Sequence, residues 1–169
     1  MATNMYLKFD PPLADDGGSS AAEHTKEVEV LSWNHGFSQP TSPTRSVAGA
    51  GTVEQANHQN FSFSKYLDES TANILKYCWG GKHISKATLT CYRADGATDN
   101  KPVKYLEVLM EHVIISNYSL SGGPGDVPVE NISLDYGIIQ YTYTSQKAAD
   151  GTGGGNKPAK HDLETRKIG

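Results

Sequence analysis

The chain has 169 residues, enough for one domain and too few for two separate cores. Apolar residues make up 37% of it, and 17 glycines and 8 prolines point to long polar loops around a core of limited size. A formal charge of −4 excludes the concentrated positive field that nucleic-acid binding needs, and no apolar run approaches the ~18 residues of a membrane span.

The N-terminus shows no apolar leader segment, so no cleavable secretion signal is read and the simple expectation is a cytoplasmic protein. A first block, Met5 to Asp10, is followed by a polar loop over Asp10 to Glu23. The block Glu27 to Trp33 breaks its alternation at Val30-Leu31. From Gly36 to Asn57 the chain has no sustained periodicity and carries Pro40, Pro43, Gly49 and Gly51. Loops over ~15 residues in a compact domain are usually functional or disordered.

Phe61 to Tyr66 alternates with period two, setting Phe61, Phe63 and Lys65 against Ser62, Ser64 and Tyr66, as a strand with one buried face does. The spacing then turns helical. Asp68 and Ser70 are candidate acceptors for the first-turn amides. Ile74, Leu75 and Cys78 share a face, and Gly80-Gly81 supplies a left-handed stop. Lys86 to Arg93 puts Ala87, Leu89 and Cys91 on one face. Tyr105 to Ile115 does so with Leu106, Val108, Met110 and Ile114, and turn chemistry over Asp95–Asn100 predicts a hairpin between them. A loop over 121–126 leads to a last strand, Asn131 to Thr144. It buries Ile132, Leu134 and Tyr136, then Ile139, Tyr141 and Tyr143, with a parity switch at Gly137 that implies a bulge or a barrel corner. From residue 145 the chain is Gly-rich and aperiodic and reads as a flexible tail. The expected fold is mainly β: one domain over 1–144, a β-barrel of two antiparallel sheets with one short α-helix on its side and an extended loop at 36–57.

Catalytic chemistry has little to stand on. The six histidines include no pair at helical zinc spacing, and Glu111-His112 are neighbours on a strand and point to opposite faces. No metal and no cofactor is expected. No nucleophile elbow occurs, and the segment starting Gly49-Ala50-Gly51 lies in a Pro-rich stretch that suits no dinucleotide loop. Cys78 and Cys91 read as core thiols. The sequons at Asn60, Asn117 and Asn131 read as chance. Lys82-His83 has the look of an anion clamp, but a basic pair after a helix more simply answers the helix dipole. Tyr136, Tyr141 and Tyr143 suit a stacking platform and equally suit ordinary strands. The domain therefore reads as a non-enzymatic module whose sheet edges pair with other chains.

The stretch Phe61-Ser62-Phe63-Ser64-Lys65-Tyr66-Leu67-Asp68-Glu69-Ser70-Thr71 and the later Gly81-Lys82-His83-Ile84 resemble the hemolysin-coregulated protein (Hcp) family of bacterial type VI secretion. The blocks around Met5–Asp10, Glu27–Trp33, Glu130–Leu134 and Tyr141–Tyr143 match in the same order. The resemblance implies hexameric rings that stack into a secretion tube, serving as conduit and projectile and carrying effector proteins in the lumen. It implies as partners further copies of the chain, the spike protein, the contractile sheath, the baseplate and effectors, with no nucleic acid and no membrane insertion. It implies synthesis in the bacterial cytoplasm and export through the secretion machine to the extracellular space or a target cell. In such a ring the Trp33-Asn34-His35 position faces the lumen, making Asn34 and His35 candidates for effector contact. The family commonly has a second Trp where His35 stands, and relatives often carry Pro where Ala72 stands. The long loop, with Gln39, Pro40, Thr41, Pro43, Arg45, Gly49, Gly51 and Val53, is the candidate ring-stacking arm. The alternative reading is a monomeric small-molecule-binding β-barrel, which needs an interior emptied of large side chains.

Overall fold

The computed structural model describes residues 4–13, 19, 21, 23–41, 55–94, 102–147 and 153–169. In chain order these form strands β1 (Asn4–Asp10), β2 (Val28–Glu29), β3 (Ser32–Asn34), β4 (Phe37–Ser38), β5 (Asn57–His58) and β6 (Phe61–Tyr66). Helix α1 (Thr71–Gly80) follows, then β7 (Ile84–Ala94), β8 (Pro102–Ser121), β9 (Val129–Asp135), β10 (Ile138–Gln146), β11 (Gly153–Asp162) and β12 (Lys167–Ile168). All the pairings are antiparallel.

One sheet runs β12-β11-β10-β8-β7-β1-β2, and the other runs β3-β6-β9-β8. Side chains alternate faces along a strand, so chain that passes from one sheet to the other must shift its parity to keep apolar groups inside. This happens at three corners. Between β2 and β3, the Val30 amide donates to Met5 of the first sheet and the next amide, Leu31, donates to Ser64 of the second. Between β9 and β10, Tyr136 and Ile139 are both buried across Gly137. Within β8, the buried series Val108, Met110 jumps to Val113, Ile115 at His112, whose φ of 54° lies in the left-handed region. The corner at Gly137 and the break at Val30-Leu31 are as the pattern predicted. The one in β8 is a correction. Ile114, expected inside, is only half-buried, because the left-handed residue flips the faces after Met110. The two sheets enclose one core, although their ladders do not close into a continuous barrel.

That core is filled. Leu7, Phe9, Phe61, Phe63, Leu89, Val108, Met110, Ile132 and Leu134 are at most 2% exposed, each worth about 1.5–3 kcal/mol of burial. Ala87, Leu89 and Cys91 share the inner face of β7, which pairs with β8 in the expected hairpin; its turn lies outside the described residues. Lys65 takes the third inward position of β6 and is 0% exposed. It is accommodated because its register partner on β9 is Glu130, also 0% exposed. The ammonium binds the Glu130 carboxylate, Asp68 Oδ1 at 2.9 Å and the Tyr66 carbonyl at 2.8 Å. Tyr118 Oη of β8 donates to the other Glu130 oxygen at 2.6 Å.

The helix ends at Gly81 in a left-handed cap, φ 58°, whose amide and that of Lys82 bond back to the Cys78 and Tyr77 carbonyls, as expected. Its start differs. Ser70 makes no side-chain cap; it is itself helical in φ and ψ, and its amide donates to Asp68 Oδ1 at 2.9 Å. Asp68 is recruited by Lys65 and serves the turn before the helix rather than the first-turn amides.

Residues 153–162, expected within a flexible tail from 145, form β11 along β10, and the expected boundary at 144 falls inside β10. The signal was missed because β11 is exposed along most of its length and has no buried face to impose alternation. Tyr143, expected inside, is 48% exposed near the outer end of β10.

Two outcomes follow for denaturant unfolding. Leu89→Asp places an unpaired carboxylate in the core and lowers stability by several kcal/mol, with soluble folded protein as the contrary result. Lys65→Met leaves Glu130 buried without its cation and costs about 3–5 kcal/mol, whereas Lys65→Met with Glu130→Leu recovers most of that loss.

Candidate functional site

The inner face of the β3-β6-β9-β8 sheet is apolar apart from the Lys65–Glu130 pair; its outer face carries two rows of neutral, hydrogen-bonding side chains. Pairing sets Ser32 against Ser64, Ser64 against Asn131, and Asn131 against Ser119 in one row across four strands. The adjacent row runs Asn34, Ser62, Ser133, Asn117. None of these eight side chains is ionisable. Ser32 and Ser64 hydroxyls meet at 2.5 Å, and Ser62 and Ser133 at 3.0 Å. Asn60 Nδ2 donates to Ser116 Oγ at 2.8 Å, which donates to the Ser133 carbonyl at 3.2 Å. The short side chains leave a shallow groove of about 170 Å³ over β3, β6 and β9. Trp33 and Phe61 stack beneath it, 5.7 Å between ring centroids. The Ser62/Ser64 alternation was the visible signal of this surface. The contributions of Asn117, Ser119, Asn131 and Ser133 needed the register.

Asn34 stands exposed at the end of one row, while His35 does not share its face. The His35 ring is half-buried and hydrogen-bonds Tyr141 Oη, Tyr136 Oη at 2.6 Å and the Gln59 carbonyl at 3.0 Å. Burial holds its pKa below the ordinary histidine value, assisted by His58 and opposed by the bond to Gln59. Burial likewise pushes the Tyr141 hydroxyl up to about 12.

Gln39, Pro40 and Thr41 follow β4, and Gln39 Nε2 donates to the Pro40 carbonyl at 3.3 Å. Pro43, Arg45, Gly49, Gly51 and Val53 lie outside the described residues. Among the motif residues, Phe61 and Phe63 are core, Tyr66 is 53% exposed, and Asp68 and Ser70 form the turn above. Lys82 and His83 do not converge on an anion site: the Lys82 ammonium lies over the Tyr77 ring at 4.8 Å from its centroid. Among the described residues, no cluster of three or more His, Cys, Asp or Glu could hold a metal, and no helix is long and apolar enough to cross a membrane. Three open clefts, of about 130, 170 and 300 Å³, lie at the surface.

The architecture is a two-sheet β domain with a filled core and a polar outer sheet face. The family profile described as "Type VI secretion system effector, Hcp" matches residues 6–143. Over 167 residues, 98% of this chain and 97% of the relative, it is 34% identical to protein Hcp1 of Pseudomonas aeruginosa. The solved structure of Hcp1 from Salmonella typhimurium superposes with a TM-score of 0.75 at 28% identity, covering 99% of both chains. A type six secretion system protein superposes at 0.85, covering 99% of this chain and 100% of that one, and its 24% identity supports the fold. The chain belongs to the Hcp family of the type VI secretion system.

The neutral face carries little of the folding energy. Asn34→Ala and Asn131→Ala should each shift unfolding free energy by less than about 0.5 kcal/mol, measured by denaturant titration; a shift like that of a core residue would make the face structural.

Proposed function

We propose that the chain is a structural subunit of the secretion tube: six copies close into a ring, rings stack, and the Ser/Asn face of the β3-β6-β9-β8 sheet lines the channel. The observation that carries this reading is that neutral face. A passage for folded proteins must be wet and must bind none of its walls tightly. Charges would hold oppositely charged cargo, and apolar groups would hold any exposed patch. Short hydroxyl and amide groups hydrate well and exchange their hydrogen bonds with water at little net cost.

A heterologous contact repeated around a closed rotation gives a ring, and a similar contact between ring faces gives a tube. Asn34 makes direct effector contact from the channel wall, and His35 supports that wall from behind. The arm from Gln39 to Val53, rooted in the β4–β5 ribbon, reaches the neighbouring ring. The role is mechanical rather than catalytic. Spike protein, sheath, baseplate and effector proteins are the partners, and the secretion machine exports the chain. The filled core speaks against the alternative of a small-molecule-binding barrel.

Light scattering on the purified chain of 18.3 kDa should give roughly 110 kDa, with annular particles in negative stain. A monomer that persists at high concentration overturns the reading. Asn34→Lys, which rings the channel with positive charge, should leave the ring mass unchanged and abolish co-purification of cargo; retained cargo moves the contact off this face. Deleting Thr41 to Val53 should leave rings and abolish tubes.

A further inference from the structure

Behind the neutral face, five side chains join end to end. The Gln59 carbonyl can only accept, so His35 Nε2, 3.0 Å away, carries the proton. His35 Nδ1 then accepts from Tyr141 Oη. The shared His35 proton also reaches Tyr136 Oη at 2.6 Å, which leaves the Tyr136 hydroxyl hydrogen for His58 Nδ1 at 2.8 Å. His58 Nε2–H in turn donates to His161 Nδ1 at 2.8 Å. With all three imidazoles neutral, every internal donor meets an acceptor. The Phe37 ring packs against both His35 and His58, at 4.5 and 4.8 Å between centroids.

The members come from separate elements: His35 from the turn after β3, His58 from β5, Tyr136 from the β9–β10 corner, Tyr141 from β10 and His161 from β11. Two of these elements bury little side chain of their own. The β4–β5 ribbon pairs over two residues on each side, and the Phe37 ring remains 53% exposed. β11 is held on β10 by its backbone ladder, with most of its side chains in solvent.

We propose that this Tyr-His relay is a proton-sensitive clasp: neutral, it seats the root of the long arm and the C-terminal strand on the barrel corner; protonated, it releases both.

In this arrangement an added proton displaces an existing bond. A proton on His35 Nδ1 faces the Tyr141 hydrogen. One on His58 Nδ1 shares the Tyr136 oxygen with the His35 N–H and sends the Tyr136 hydrogen toward Gln59 at 3.5 Å, a weak bond. One on His161 Nδ1 meets the His58 N–H. A single proton forces bonds to reverse; two on His58 and His161 set like charges at hydrogen-bonding distance. Among the described residues, no carboxylate is in salt-bridge contact with any of the three rings. The nearby acids are committed: Asp135 Oδ1 accepts the Tyr136 amide, Asp162 Oδ1 accepts the Glu164 and Thr165 amides, and Glu164 binds His112. Lys160 and Asp162 flank His161 on the opposite face of β11.

Burial lowers the pKa of His35 and His58, with a further lowering of His58 by His161. The sign follows. The clasped state binds fewer protons than the open one, so its stability is complete above the ordinary histidine range near 6.5 and is lost as pH falls below it. Two protons taken up on opening raise the opening constant up to about 100-fold per pH unit.

The test is hydrogen exchange of the full chain from pH 8 to pH 5, corrected for intrinsic exchange rates. Amides of the β4–β5 ribbon and of β11 should lose protection steeply below pH 6.5, while β7 amides change little. His58→Gln keeps an acceptor toward Tyr136 and a donor toward His161 but cannot titrate, and should reduce the slope to about 10-fold per pH unit. Tyr136→Phe should open both elements already at pH 8. Changes under about threefold in the wild-type ribbon and β11, or an equal loss in β7, overturn the clasp. Sedimentation of tubes over the same range tests the link to the stacking role proposed above: tubes that persist while the ribbon opens defeat that role and leave the clasp standing.

Discussion

The architecture depends on one constraint: a strand that serves two sheets must change which of its faces looks inward. Three segments do this, at Val30-Leu31, within β8 at His112, and at Gly137. Each uses a different device. The first inserts an irregular pair between short strands. The second places a non-glycine residue, the exposed His112, in the left-handed region, with its ring bonded to Glu164 2.7 Å away. The third breaks the ladder for two residues, with the Gly137 amide bonded to the Glu111 carbonyl and its carbonyl to the Leu163 amide. Because the turns are made within continuous chain, the two sheets share a core without closing their ladders.

The second organising feature is ionic. Lys65 and Glu130 are fully buried and face each other across β6 and β9, with Tyr118 and Asp68 completing their hydrogen bonds. A buried pair of this kind is not strong evidence of added stability, since two apolar residues of equal shape often do as well. It does specify register. A slip of one residue between β6 and β9 would separate the charges and turn Phe61, Phe63 and Lys65 outward together. The same slip would scramble the outer rows, so the ion pair inside and the Ser/Asn surface outside depend on one alignment. Through Asp68, the pair also sets where the helix begins.

Inside and outside of this sheet thus carry opposite chemistry on the same strands. The two outer rows are neutral, while basic side chains collect around the C-terminal strands, at Lys147, Lys157, Lys160, Arg166 and Lys167. Such segregation fits the role proposed above, in which one side forms an inert wall and others assemble. The Tyr-His relay lies behind that face, where His35 turns inward immediately after Asn34.

Much of this was legible in order along the chain. Strict alternation over 61–66 and 86–93 marked the strands and their inner faces, Gly80-Gly81 marked the helix stop, and the switch at Gly137 marked a corner, because period and backbone conformation are local properties. The motif residues were also enough to point to the Hcp family. Tertiary structure alone decided the rest. The parity flip at His112 depends on a φ angle that histidine does not advertise. Strand β11 has no buried face, so its pairing left no pattern. Lys65 could be placed inside by periodicity, but its tolerance there required Glu130, 65 residues away, at one register position. The polar rows and the relay of His35, His58 and His161 are likewise assembled across strands. A sequence records which way each side chain points along its own strand; which neighbours it meets is set only when the strands align.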